Sequence, residues 1–533
     1  MWRAPRPAPH PVTVIPCRND RSTDDEWGWL VGWTRTMPVE RILARSRSGD
    51  GSEDGGGDGR GTPLKRTLKA RDLVGFGVGI IIGTGIFTLA GVEAQQHAGP
   101  AVTLSFLIGA VVAGLAAVCY AELASSVPTA GSAYTYAFAT LGEVFAWIIG
   151  WDLLLEFGLG LAVVSRSWSG YLASLFGLPT EWFGEDATVN VGAVLIIAVL
   201  TVVAVAGIQQ SARLTNLLVL VKLAVCVLIL AVGVFYIDPA NLQPFIPPAQ
   251  APEGGGSVFT QPIISGVFGL APTVFGVGGM LTAAAVVFFA YTGFEALANL
   301  GEEAKRPNRD LKIGLLGALA ICAVLYVGVS LVLTGMVPYT EIDTGAPLAS
   351  AFAGVGLPWV GALIALGAVT GLTSVMMVEL VTIGRIGFAM GRDGLLPKAI
   401  GTAHPRWGTP HRMTIIGGVV CAVIAAFTPI TALADMVSIG ALSAMIIVAI
   451  AVPVLRRTRP DLDRPFRVPF SPVVPAITAI ACLYLMLNLN LDTWIRFVGW
   501  LLLGLVVYAV YGRRHSFLAR EEREGSGAGR DRD

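Results

Sequence analysis

The chain has 533 residues, of which 54% are hydrophobic and only 14% charged, and its mean hydropathy is +0.68. A soluble domain carries roughly 25% charged residues, so a soluble globular protein of this size is excluded. The 37 basic and 37 acidic residues cancel, which leaves no basic footprint for nucleic acid, and a polytopic protein of the lipid bilayer remains. Residues 1–66 are rich in Arg, Pro, Gly and Asp and include SRSGDGSEDGGGDGRG. They hold too little apolar surface to fold and lack the apolar core of a signal peptide. A disordered tail is expected there, with Met37 offering an alternative start.

Residues 67–512 are expected to form one transmembrane domain. Apolar runs of about 20 residues, the length that spans a bilayer, lie near 71–92, 101–126, 138–165, 188–208, 214–237, 279–300, 311–336, 357–390, 412–428, 432–455, 472–490 and 493–512. That predicts an all-α membrane protein of about twelve helices, followed by a charged C-terminal tail over 513–533. The connections near 301–312, 391–412 and 456–471 are rich in Lys and Arg, whereas 176–187, 238–278, 337–356 and 428–434 have none. Basic loops stay in the cytoplasm, so both termini are expected there. The long connection 238–278 either lies along the outer surface, re-enters slightly or is a plain connector.

The first apolar run contains GVGIIIGTGIF, with Gly77, Gly79, Gly83 and Gly85 inside it. Gly serves close helix packing in membranes, and Gly79 to Gly83 is itself a GxxxG spacing. A true interruption is the other reading, and it predicts a matching one half a domain later. The sixth run supplies it: VVFFAYTGFEALANLGEEAKRP places Thr292 and Gly293 mid-run, with Glu295 just after. Unsatisfied backbone groups in hydrocarbon cost several kcal/mol, so a break persists only where its freed groups find partners. Freed amides at a half-helix start bind an anion, and freed carbonyls at a half-helix end bind a cation. An α-amino acid carries both charges.

These segments resemble the amino acid–polyamine–organocation transporters, in particular their bacterial cationic-amino-acid branch. The resemblance runs from about Leu64 to Arg514 and rests on GIIIGTGIF, on YAELASSVPTAGSAYTYAFATLGEVFAWIIGWDLLLEFGLG, on SARLTNLLVLVKLAVCVLIL, on FFAYTGFEALANLGEEAKRPNRDL and on AMGRDGLLP. It implies a LeuT-like fold of two inverted five-helix repeats with broken helices 1 and 6, two appended helices, and alternating access. It further implies that a substrate carboxylate meets the amides around Gly83, Thr84, Gly85 and Ile86. The substrate amine would meet carbonyls near Ile80, Phe289, Ala290 and Thr292. The chain departs from the pattern at IGRI (383–386) and at Glu379 in the eighth run, and at SRSWSGYL, which puts Arg166 near the outer end of the third.

Charges inside the membrane are expensive and ask for a reason. Lys222, well inside the fifth run, matches a lysine that in the resembling transporters approaches the first break and stands where sodium sits in sodium-coupled relatives. That implies proton rather than sodium coupling. Asp152 and Glu156 are four apart and share a helix face; Glu156 is a candidate for binding a cationic side chain or a proton. Glu295 follows the second break and is a candidate for proton coupling. Glu302 and Glu303, with Lys305 and Arg306, form either an inner gate or a solvated loop. Trp147, Trp151 and Trp494 are expected to anchor helix ends at the interface. The six Cys and five His show no metal spacing, and no catalytic motif is present, so no metal, cofactor or enzyme activity is expected. The expected function is import of an amino acid across the plasma membrane by a monomer, with a proton as partner. An exchanger, a polyamine carrier and a non-transporting sensor are the alternatives.

Overall fold

The computed structural model describes residues 68–126, 132–185, 187–207, 212–251, 257–269, 273–300, 304–404 and 406–520. The expected N-terminal tail and the acidic pair Glu302 and Glu303 lie outside the described residues. Within them the regular secondary structure is helical apart from isolated bridges. Twelve helices follow one another at the positions of the apolar runs: α1 (Ala70–Ile81), α2 (Val102–Ser126), α3 (Glu143–Phe176), α4 (Val191–Val205), α5 (Ala212–Gly233), α6 (Gly276–Val287), α7 (Pro307–Met336), α8 (Pro358–Arg392), α9 (His411–Phe427), α10 (Ile430–Thr458), α11 (Val473–Leu487) and α12 (Leu491–Val507). In hydrocarbon every backbone polar group needs an internal partner, and a helix supplies one within its own segment.

Helix limits follow local chemistry. α7 and α8 open with Pro at their first position, where the missing N–H costs nothing. α3 closes on Gly177, in the left-handed conformation (φ 62°, ψ 38°), whose N–H reaches back to Ala173. The third apolar run divides: Ser132–Thr140 is a separate short helix, and Gly142 (φ 105°) turns the chain into α3. The connection 238–278 holds a short helix, Ile263–Phe268, and pairs Gln250 with Val274. The first residues beyond α12 also pack on the bundle: Ser516 Oγ donates to Glu143 at 3.1 Å and Phe517 N–H to the Asp393 carbonyl at 3.0 Å.

The packing order carries the internal symmetry. α2 packs along α7, α3 along α8 and α4 along α9, while the continuations of α1 and α6 touch mid-bundle. A two-fold axis relating α1–α5 to α6–α10 would place counterpart helices against one another in this way. The outward faces of α4, α9 and α11 present exposed apolar residues such as Val202, Val419 and Ile480, as lipid contact requires. α1 starts beside the chain that leaves α6, where Lys305 N–H donates to the Leu68 carbonyl at 2.8 Å. The ends of α8 and α10 and the start of α9 bring Arg392, Arg412, Arg456 and Arg459 to the same end, the basic face.

Candidate functional site

α1 stops at Ile81. Ile82 takes an extended conformation (φ −70°, ψ 99°), and helix resumes in a wide turn over Gly85–Leu89 with Thr84 as its first flanking residue. The carbonyls of the last α1 turn are answered one by one: Val78 by Ile82 N–H at 3.0 Å, Gly79 by Lys222 Nζ at 2.6 Å, and Ile81 by Tyr326 Oη at 2.5 Å. The amides at the start of the resumed helix have no partner within it. Thr84 is buried beside them, and its Oγ1 has no hydrogen-bond partner.

α6 tightens into a narrow turn over Phe288–Tyr291, unwinds at Thr292 (ψ 165°) and Gly293 (φ 95°), and resumes over Phe294–Leu300. The Phe289 carbonyl accepts from both the amide and the hydroxyl of Thr292, at 3.0 and 2.9 Å. Glu295 Oε1 accepts from Gly293 N–H at 2.8 Å, capping the second half-helix as well as facing inward. The two breaks touch. A Cβ on Gly85 would lie 2.2 Å from that of Ala290, and one on Gly293 would lie 2.5 Å from Ile80 Cγ2. The structure therefore gathers Ile80, Gly83, Thr84, Gly85, Ile86, Phe289, Ala290 and Thr292 in one place. All are buried except the half-buried Thr292.

The intramembrane charges collect around this crossing. Lys222 lies midway along α5, fully buried, with its stem against Gly371 of α8. Glu156 stands beside Glu295, and both of its carboxyl oxygens are shut off from solvent. Glu379 of α8 lies against Gly160 of α3 and near the Phe289 ring, within electrostatic reach of Lys222. Asp152 is more distant in role: its Oδ2 accepts from Ser443 at 2.7 Å and its side chain packs on Gly440, joining α3 to α10. Arg166 faces away from the crossing. It pairs with Glu185 at 3.1 Å and donates to the Ala425 carbonyl at 3.0 Å, tying α3 to the α9–α10 corner.

Several residues escaped sequence reasoning. Tyr326 was one; its signal is a phenol in the interior of an apolar helix, where the O–H must find a partner. Tyr171 does the same for the Phe87 carbonyl, at 2.5 Å, and Thr88 hydrogen-bonds Ser167. The expectation for two tryptophans is corrected. Trp147 is fully buried and donates to the Gly504 carbonyl at 2.9 Å, and Trp151 stacks on Trp500 at 4.5 Å. They fasten α3 to α12, because their flat rings bury more area there than at an interface. The five described cysteines are buried and free, and among the described residues no group of His, Cys, Asp or Glu is arranged to hold a metal.

Comparison with known proteins places this geometry. The chain matches the amino acid permease family over residues 68–510. It is 40% identical to the methylthioribose transporter of Bacillus subtilis (strain 168), over 91% of this chain and 98% of that protein. Identity to the branched-chain amino acid permease BcaP of the same organism is 41%, over 85% and 95% of the two chains. The vacuolar cationic amino acid transporter 4 of Arabidopsis thaliana is 39% identical over 75% of this chain and 64% of its own length. With touching breaks in α1 and α6 and a match that runs from the start of α1 through α12, the chain is a multi-pass membrane protein that belongs to the amino acid permease family of the amino acid–polyamine–organocation superfamily.

Proposed function

We propose that this permease is a secondary transporter that imports amino acids across the plasma membrane by alternating access, with a proton as the coupling ion. The observation that carries the reading is the paired break itself. On one side it offers helix-start amides and the partnerless Thr84 hydroxyl to a carboxylate. On the other, the ammonium is assigned to the carbonyls of Ile80 and Ala290 beside the breaks, since those of Gly79, Ile81 and Phe289 already accept from Lys222, Tyr326 and Thr292. Lys222 Nζ donates to the Gly79 carbonyl at the first break; the resemblance puts a lysine there where sodium sits in sodium-coupled relatives, which favours a proton. Glu156, Glu295 and Glu379 lie on the side-chain side of the crossing. Carboxyl groups that close hold a proton or a cation between them. The basic face is assigned to the cytoplasm by its Lys and Arg, with both termini there, and the chain is proposed to work as a monomer.

Relatives named for branched-chain and for cationic amino acids bracket the substrate without choosing one. A second reading follows from the relative named for methylthioribose, a solute without ammonium or carboxylate: the breaks then hold hydroxyls. Purified protein in proteoliposomes with an imposed pH gradient tests the proposal. Uptake of at least one amino acid, driven by an acidic exterior and independent of internal substrate, is expected. Uptake that ignores the gradient and requires internal amino acid makes the protein an exchanger instead. A thermal-shift panel of the twenty amino acids and methylthioribose identifies the ligand, and stabilisation by methylthioribose alone sinks the amino-acid assignment.

A further inference from the structure

A cavity lies away from the breaks, at the end of the bundle opposite the basic face. It has a volume of about 340 Å³ and is walled by the end of the α1 continuation, α6, residues 260–262 and 273–274, and the starts of α10 and α12. Thr282 of α6 lines it, ten residues before Thr292. At 1.5 Å per residue that is roughly 15 Å from the second break, so the cavity is separate from the crossing. Its lining includes three acidic residues, Glu93, Asp435 and Asp492, with His97 and Arg496 as the groups of opposite sign.

The charges do not cancel locally. Arg496 is taken by Asp492 one helical turn away. His97 Nδ1 hydrogen-bonds Oε2 of Glu93 at 2.9 Å and lies within electrostatic reach of Asp435, so one imidazole faces two carboxyl groups. Glu93 is fully buried, and its Oε1 has no hydrogen-bond partner. Asp435, 9% exposed, has only a long contact from Thr493 Oγ1 at 3.3 Å. A buried carboxylate oxygen without a donor is costly, and a cationic donor placed between the α1 continuation and α10 would satisfy Oε1 of Glu93 and give Asp435 a closer partner. The space is many times larger than a bare metal ion, which binds in a close cage of oxygens. We infer that this cavity is a binding site for an organic ammonium group, held by Glu93 and Asp435 on the way to the breaks. Its use as a waypoint rests on the transporter reading; its existence does not.

The test is calorimetric titration of n-butylammonium, with butyrate as control, into the full-length protein in lipid nanodiscs. Butylammonium has no carboxylate for the amides at Gly83–Gly85. It is expected to bind where butyrate does not. Glu93→Gln and Asp435→Asn should each weaken it roughly tenfold or more, the worth of a charge-assisted hydrogen bond. Gln96→Lys, on an exposed residue of the same lining, brings a tethered ammonium and should abolish binding; it decides the matter if the buried variants fail to fold. Gly83→Leu, which fills the α1 break, should leave amine binding intact. The inference is overturned if the wild type does not bind the amine, if Gln96→Lys binds it unchanged, if Gly83→Leu abolishes it, or if equimolar sodium displaces it. Binding is read without transport, so a protein that binds the amine here and carries nothing would sink the transporter reading and leave this site standing.

Discussion

Four glycines lie between residues 77 and 85, two in α1 and two beyond its end, and a single methyl group separates their roles. A Cβ at Gly77 would lie 2.7 Å from Ala318 and Leu297, at Gly79 2.3 Å from Val219, and at Gly85 2.2 Å from Ala290. At Gly83 the nearest atoms are those of Val375, at 3.7 and 3.8 Å, an ordinary contact. Gly79→Ala should therefore cost about 1–3 kcal/mol by overpacking, seen as a lower unfolding midpoint in detergent. Gly83→Ala should unfold like the wild type yet bind substrate more weakly, because the methyl group enters the space left for the carboxylate. A Gly83→Ala protein with wild-type affinity would remove that amide from the proposed site. Lys222→Met keeps the volume and removes the charge on the Gly79 carbonyl; uptake should then lose its response to a pH gradient, and unchanged proton-driven uptake would end the coupling role. Glu156→Gln should shift preference between Arg and Ala if Glu156 reads the side chain. Equal preference in variant and wild type makes it a structural residue.

At the scale of elements, each break survives because neighbouring helices supply the partners that the helix itself has lost. α5 sends Lys222 and α7 sends Tyr326 to consecutive parts of the α1 end. Tyr326→Phe keeps the ring contacts with Phe106 and Tyr291 but strands the Ile81 carbonyl. The expected loss is about 1–3 kcal/mol, measured as a lower unfolding midpoint together with weakened substrate binding. Wild-type values for both would mean that another group answers Ile81. The breaks were legible in the sequence because Gly, Thr and Gly interrupt runs that are otherwise apolar, and the twelve helices because lipid allows an isolated apolar run little else. The partners were not legible: nothing near Tyr326 points 245 residues back to Ile81. Trp147 and Trp151 misled for a related reason, since a tryptophan near a helix end suits an interface and a helix seam equally. The separation of Ser132–Thr140 from α3 was hidden because that short helix is itself buried, with Ala133, Tyr136 and Ala137 almost fully covered, and carries the same small and aromatic residues as a membrane helix.

For the whole molecule, an even number of spans and the alternation of basic and non-basic connections have to agree. On the basic face the loop after α10 folds back on the bundle: Arg456 meets Glu122 of α2 at 2.8 and 2.6 Å, and Val468 N–H meets the same carboxylate at 2.5 Å. That loop carries its charges on a fixed surface, which makes it a sound reporter of sidedness. Asp461 within it has a side chain 65% exposed. Glu341, in the connection after α7, is exposed on the opposite face. The five described cysteines are buried, so with Cys17 changed to Ser the background for a thiol reagent is low. On intact cells an impermeant maleimide should label Glu341→Cys and leave Asp461→Cys unmodified; permeabilised cells should show both. Labelling of Asp461→Cys from outside would invert the molecule. It would also place the Glu93–Asp435 cavity in the cytoplasm, and that cavity would then lie where substrate leaves rather than where it enters.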